Sequence, residues 1–246
     1  MVAQFLEDVT LGVEVFAAVA LAGGVLSALL AGERSNLDDP KVPFRPRELL
    51  GMVMFPTHGA RDFYKTLAAR FLLTVGSGIV SNYMLYILQD YLRLDQTGSQ
   101  RMLSVTSAIT LAVGLVCCLV AGPIADRIGR PKLLTVVTAC MMAVGALVPF
   151  LVPTPGGLVA FSAIVGVANG ASSSLIQTIS VEVLPDPAAA AKDLGFLNLA
   201  NTLGGVGGSF AGAAVIGVVG YGGAFVGQAV AVLAAAALFA SIRRVR

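Results

Sequence analysis

Charge is what this 246-residue sequence has least of. Asp, Glu, Lys and Arg together make up 12% of it, where a soluble domain carries roughly 25%. Apolar residues make up 57%, and the mean hydropathy is +0.86. A soluble chain of this length needs a charged exterior to cover its core, so a soluble fold is excluded. Histidine occurs once, as His58, and one histidine makes neither a metal site nor a proton relay. Cys117, Cys118 and Cys140 all sit inside apolar runs. They read as small buried hydrophobes rather than a disulfide framework or a metal spacing. The first ten residues hold Glu7 and Asp8 but no Lys or Arg, so no signal peptide is expected. No nucleophile–base pair, metal spacing or phosphate loop can be assembled, and the net charge is only +2. Enzymatic activity, a cofactor and a nucleic-acid partner are therefore not expected.

What the sequence has in abundance is long apolar runs. A helical span takes about 20 residues to cross roughly 30 Å of hydrocarbon, and seven segments qualify, near 11–31, 69–91, 103–122, 133–152, 157–181, 194–216 and 223–241. The expected fold class is an all-α membrane protein, a polytopic helical bundle with the lipid bilayer as its first partner. Basic residues collect on every second connection: Arg34, Lys41, Arg45, Arg47, Arg61 and Lys65 on the first, Arg127, Arg130 and Lys132 on the third, Lys192 on the fifth, and Arg243, Arg244 and Arg246 in the tail. The positive-inside rule then predicts a multi-pass protein of the cell membrane with its N-terminus outside and its C-terminus cytoplasmic. The long first connection carries four prolines (Pro40, Pro43, Pro46, Pro56) and reads as an irregular connector. Within it, Arg47 to Phe55 is a candidate surface helix.

Polar groups inside hydrocarbon normally face a cavity or another helix, and here they are unevenly shared. The first, fourth and seventh segments are nearly pure hydrocarbon, with Glu14 and Gln228 as exceptions, and read as lipid-facing. In the fifth, Ser162, Gly166, Asn169, Ser173, Gln177 and Ser180 recur at spacings of three and four, which places them on one helix face. The second carries Thr74, Ser77, Asn82, Tyr86 and Gln89, and the sixth Asn198 and Asn201 followed by Gly204, Gly208 and Gly212. Small residues at such spacing serve helix packing, which is the expectation for the glycine ladder. The bulkier amides point instead to a water-filled pathway. The order polar-to-apolar occurs twice, over segments two to four and five to seven, and suggests an internal repeat of the kind found in transporter folds.

Between the third and fourth segments lies Gly122-Pro-Ile-Ala-Asp-Arg-Ile-Gly-Arg-Pro-Lys132, which reads as a charged turn broken by Gly and Pro. It resembles the loop signature of the major facilitator superfamily, Gly-x-x-x-Asp-Arg-x-Gly-Arg followed by a basic residue. Gly122, Asp126, Arg127, Gly129 and Arg130 match, and Pro131 departs from the pattern. The runs Ser81–Tyr91, Val183–Pro187, Ala191–Gly195 and Leu197–Asn201 are similar to a bacterial branch with sugar–cation symporters among its members. The sugar-porter signatures are absent, however, and tryptophan, common in sugar sites, does not occur. The family has twelve helices in two six-helix halves. The resemblance implies a first helix like helix six (1–31), a cytoplasmic central loop (32–68) and a six-helix C-terminal half (69–246). It also implies that the signature loop acts as a conformational latch against the opposite half, whose helix five would hold the partner of Asp126.

The resemblance implies a secondary active transporter moving a small solute by alternating access. Asn82, Tyr86, Gln89, Asn169, Ser173, Gln177, Asn198 and Asn201 are the candidate pathway residues, and Glu14 and Asp90 the candidate coupling acids. A half of this kind is expected to need a missing N-terminal half or a second copy of itself. The alternative is a seven-helix receptor without transport. A retinal protein is disfavoured because residues 223–241 contain no lysine.

Overall fold

In hydrocarbon there is no water to satisfy backbone N–H and C=O groups, so each span must close its own hydrogen bonds. The computed structural model describes residues 9–30, 60–185 and 190–242, and among these it contains helices and no strand. The helices are α1 (Val9–Leu30), α2 (Arg61–Ser81), α3 (Met84–Tyr86, continued by a π-helical turn at Ile87–Tyr91), α4 (Gln96–Ile128), α5 (Pro131–Leu151), α6 (Pro155–Glu182), α7 (Ala190–Val219) and α8 (Tyr221–Ala240). With α2 and α3 counted as one span, seven are long and apolar enough to cross a membrane. The chain divides into two compact units at Glu48 and Leu49. Of the first, the structure describes α1, whose 22 residues rise about 33 Å. Its side chains from Val13 onward, Glu14 included, are exposed. The expected surface helix, His58, most of the basic connector and the arginines of the tail lie outside the described residues.

All the other helices belong to the second unit. α2 begins at Arg61, earlier than the expected start near 69. Asp62 sits in its first turn, where a negative charge is favoured, and pairs with Lys65 at 3.5 Å. The polar residues that read as connector therefore carry the helix beyond its apolar run. α2 breaks at Asn82 and Tyr83, so Gln89 and Asp90 fall on the π-helical turn. α6 opens with Thr154 accepting from the Gly157 amide and Pro155 in its first turn, a strong N-terminal signal.

Gly122–Lys132 is not one continuous turn. α4 runs through Gly122 and Pro123 to Ile128, and the reversal is confined to Gly129 and Arg130. Gly129 takes a left-handed φ of 65°, a conformation that a Cβ makes costly. Pro131 then occupies the first turn of α5, where its missing N–H leaves no hydrogen bond unmade. No side chain caps that helix. Asp126 is exposed in the last turn of α4.

Packing follows the triplet rhythm. The principal contacts are α4 with α6, α2 with α7, α2 with α8, α5 with α6, and α5 with α8. Exchanging the triplet α2–α4–α5 for α6–α7–α8 maps this pattern onto itself, which supports the internal repeat. The two equivalent crossings, α2 with α7 and α4 with α6, use glycine in the same way. A Cβ on Gly208 would lie 2.8 Å from the Gly78 Cα, and one on Gly170 would lie 2.0 Å from the Gly114 carbonyl oxygen. The ladder Gly204–Gly208–Gly212 is buried against α2 and the Tyr83 ring beyond its end, as the packing expectation required.

The assignment of lipid-facing helices needs correction for α5 and α8. Both have an outward side, with Val137, Val144, Val230 and Leu233 exposed. Their other sides form the core: Ala139, Met142 and Ala146 on α5, and Phe225, Ala229, Val232 and Phe239 on α8, are buried. Among the long helices of this unit, those with few buried residues are α4 and α7, which expose Leu111, Leu115, Leu119, Leu203, Val206 and Phe210. A uniformly apolar helix suits lipid and protein equally, so composition could not separate the two.

Candidate functional site

The polar stripes of α2 and α6 come together in the second unit. Two adjoining cavities, of about 330 and 340 Å³, lie along them and share Ser77 and Asn169. The first takes its hydroxyls from Ser77 and Ser81, Thr106, Ser107 and Thr110 of α4, and Ser162 of α6. The second is lined by Arg70 and Thr74 of α2, Ser172, Ser173 and Gln177 of α6, and Asn201 of α7. The i, i+3 and i, i+4 spacing on α6 that marks Ser162, Asn169, Ser173 and Gln177 puts them on one side of the helix, the side that lines the two cavities.

The expected pathway residues divide. Asn169 lines both cavities, and Ser173, Gln177 and Asn201 line the second. Asn198 is beside it, accepting from an Arg70 guanidinium nitrogen at 3.5 Å. Asn82, Tyr86 and Gln89 do not line either cavity. Asn82 donates to Ser209 Oγ of α7 at 2.8 Å, and Tyr86 is exposed beside Tyr83, with ring centroids 6.4 Å apart. Gln89 is half-buried. Asp90 is exposed and within hydrogen-bonding reach of the Tyr221 hydroxyl, and Glu14 is exposed on α1. In the signature stretch Asp126, Arg127, Gly129 and Arg130 are exposed, while Gly122 is half-buried near Ser174 of α6.

Two cavity residues were not among the candidates. Arg70 is 5% exposed and donates to Ser180 Oγ at 3.0 Å as well as to Asn198, while its Nε has no acceptor. A span starting near 69 would put it at a helix mouth. Because α2 starts at Arg61, Arg70 lies more than two turns inside. Gln228 of α8 is 1% exposed, lines the first cavity, and has no partner for its Oε1. The signal in the sequence was helical spacing for Arg70, four residues before Thr74, and for Gln228 a single polar residue inside an otherwise apolar helix.

Lysines gather at one end of this unit. Lys65 at the start of α2 donates to the Ser241 carbonyl, and Lys132 at the start of α5 donates to the Ile242 carbonyl at 2.9 Å. Both cations thus sit at the C-terminal end of α8, where orphan carbonyls and the helix dipole favour positive charge. Among the described residues no cluster of His, Cys, Asp and Glu is placed to hold a metal ion.

No curated protein matches the chain closely enough to count as a relative. The family model described as Major Facilitator Superfamily matches residues 66–246, from the second turn of α2 to the end of the sequence. With seven apolar helices long enough to span a bilayer, the chain belongs to the major facilitator superfamily of membrane transporters.

Proposed function

We propose that this chain forms one half of a secondary active transporter that moves a small solute by alternating access, with the cleft between α2 and α6 as its wall of the pathway. The observation that carries the reading is the pair of adjoining cavities sharing Ser77 and Asn169. A transporter of this architecture binds its solute near the bilayer midplane between repeated units, and α2 and α6 occupy equivalent places in the two triplets. Asn169, Ser173, Gln177, Asn198 and Asn201 are the residues that would face the solute. Asn82, Tyr86 and Gln89 would belong to the far mouth of the same cleft, where the break in α2 and the π-helical turn give a bend of a kind common at functional sites.

The cleft also supports a partner. Ser173, Gln177, Asn198 and Asn201 are exposed within the unit, and lipid cannot satisfy such groups. A second half, or a second copy of this chain, would cover them, and the signature stretch with exposed Asp126, Arg127 and Arg130 would latch against it. The lysine-bearing end at Ser241 and Ile242 would be cytoplasmic in the cell membrane and the N-terminus outside, in keeping with the basic residues on alternate connections. Asp90 and Glu14 remain the membrane-edge acids available for a coupling proton. A seven-helix receptor is not favoured, since membership of a transporter family does not suggest one.

Counterflow or uptake in proteoliposomes tests the two-half reading. The purified 246-residue chain is expected to be inactive as a monomer and to gain flux when a complementary half is supplied or a dimer forms. Robust uptake by the monomer would contradict it.

A further inference from the structure

The two cavities differ in what their polar groups can still do. In the first, the hydroxyls of Ser77, Thr106, Thr110 and Ser162 already donate to backbone carbonyls. What these four keep are acceptor lone pairs, and Ser81 and Ser107 add two further hydroxyls to the lining. In the second, Ser172 donates to Thr138 Oγ1 and Ser173 to the Asn169 carbonyl, while Thr74 is within donating distance of both the Arg70 carbonyl and Asn201 Oδ1. The donors left there are the amide nitrogens of Asn169, Asn201 and Gln177 and the guanidinium of Arg70.

Arg70 itself lacks a counter-charge. Among the described residues the ion pairs are Lys65 with Asp62 and Lys192 with Asp193. Both acceptors of the Arg70 guanidinium, Ser180 Oγ and Asn198 Oδ1, are neutral. Arg70 is 5% exposed as a residue, an arginine does not shed its proton in a protein, and a buried charge without a partner is strongly destabilising. The geometry points to an anion as the missing partner. We propose that the transported solute is a small organic anion, whose carboxylate or phosphate binds at Arg70 with Gln177 and Asn201. The rest of the solute carries hydroxyls, as a hydroxy acid does, and reaches the hydroxyl-lined first cavity. Arginine suits this role because its planar fork matches an oxyanion in two bonds. The proposal rests on the cleft being the solute pathway and narrows the class of solute.

The test uses the purified full chain in lipid nanodiscs and follows thermal unfolding at fixed ionic strength, since a ligand of the folded state raises Tm in a saturable way. The probes are gluconate, its neutral counterpart gluconamide, and inorganic phosphate. Gluconate or phosphate should give a saturable rise that gluconamide does not. Arg70→Gln should weaken it roughly 30-fold or more, Arg70→Lys by a smaller factor, and the exposed control Arg101→Gln should leave it unchanged. If Arg70→Gln does not fold, the Arg70→Lys weakening decides. Equal shifts from gluconate and gluconamide, no shift from either anion, or undiminished anion binding in the Arg70 variants would overturn the proposal. Arg70-dependent binding without flux in any assembled form would leave the anion site standing and remove the transporter reading. Flux of neutral solutes that is indifferent to Arg70→Gln would do the reverse.

Discussion

Ser172 of α6 donates to Thr138 of α5 at 2.9 Å, and both residues are buried. Side-chain hydrogen bonds between membrane helices contribute about 0.6 kcal/mol on average, so a double-mutant cycle of Ser172→Ala with Thr138→Val should give a coupling near that value; a coupling of zero would mean the pair adds nothing to the α5–α6 contact. Gly129 offers a cleaner residue-scale effect. A Cβ there meets nothing within 4 Å, so Gly129→Ala tests backbone conformation alone and should cost about 1 kcal/mol of stability, with Gly129→Asn costing less. An unchanged unfolding midpoint would show that the turn does not need its left-handed residue. At this scale much of the cleft was legible: Asn169, Ser173 and Gln177 recur at helical spacing, and periodicity reports a face directly. Arg70 stands four residues before Thr74 at the head of the α2 stripe, whereas Gln228 belongs to no stripe. Only the position of each in three dimensions, set by the true start of α2 and by the buried side of α8, shows that they reach the cavities.

Helix–helix contact is decided by size rather than polarity. The glycines at the α2–α7 and α4–α6 crossings let backbones meet where a methyl group has no room. Gly208→Ala should destabilise the unit by about 1–3 kcal/mol, because the new Cβ would lie 2.8 Å from Gly78 Cα, whereas Gly205→Ala, with open space around it, should be close to neutral. Unfolding of the two variants in the same detergent compares them, and equal midpoints would contradict the crossing. Element number and order were readable because spans must be long and apolar. Ends were not, since the Asp62–Lys65 pair extends α2 through residues with connector-like composition. Pro123 misled in the same direction. Proline removes a donor and ordinarily kinks or ends a helix, yet membrane helices tolerate it when surrounding groups satisfy the freed carbonyl, so α4 continues through it. The inward side of α5 and α8 was hidden for a different reason: Ala, Val and Met pack equally well against lipid and against a neighbour.

For the whole molecule, the exchange of triplets that leaves the contact pattern unchanged gives the chain two equivalent polar helices, α2 and α6, facing one another across a cleft. Sidedness at this scale can be checked by labelling. In a background without Cys117, Cys118 and Cys140, Lys132→Cys should react with an impermeant thiol reagent only when the cytoplasmic face is opened, and Arg101→Cys from outside intact cells; the opposite pattern would invert the proposed topology. The central claim is that the α2–α6 cleft is a water-filled pathway rather than a packing seam. The most direct measurement is the reactivity of Asn169→Cys, in the same background in proteoliposomes, towards a charged, hydrophilic methanethiosulfonate, with Leu115→Cys on the exposed apolar side of α4 as the comparison. The account predicts that Asn169→Cys reacts and Leu115→Cys does not. An inert Asn169→Cys, or equal reactivity at the two positions, would contradict it.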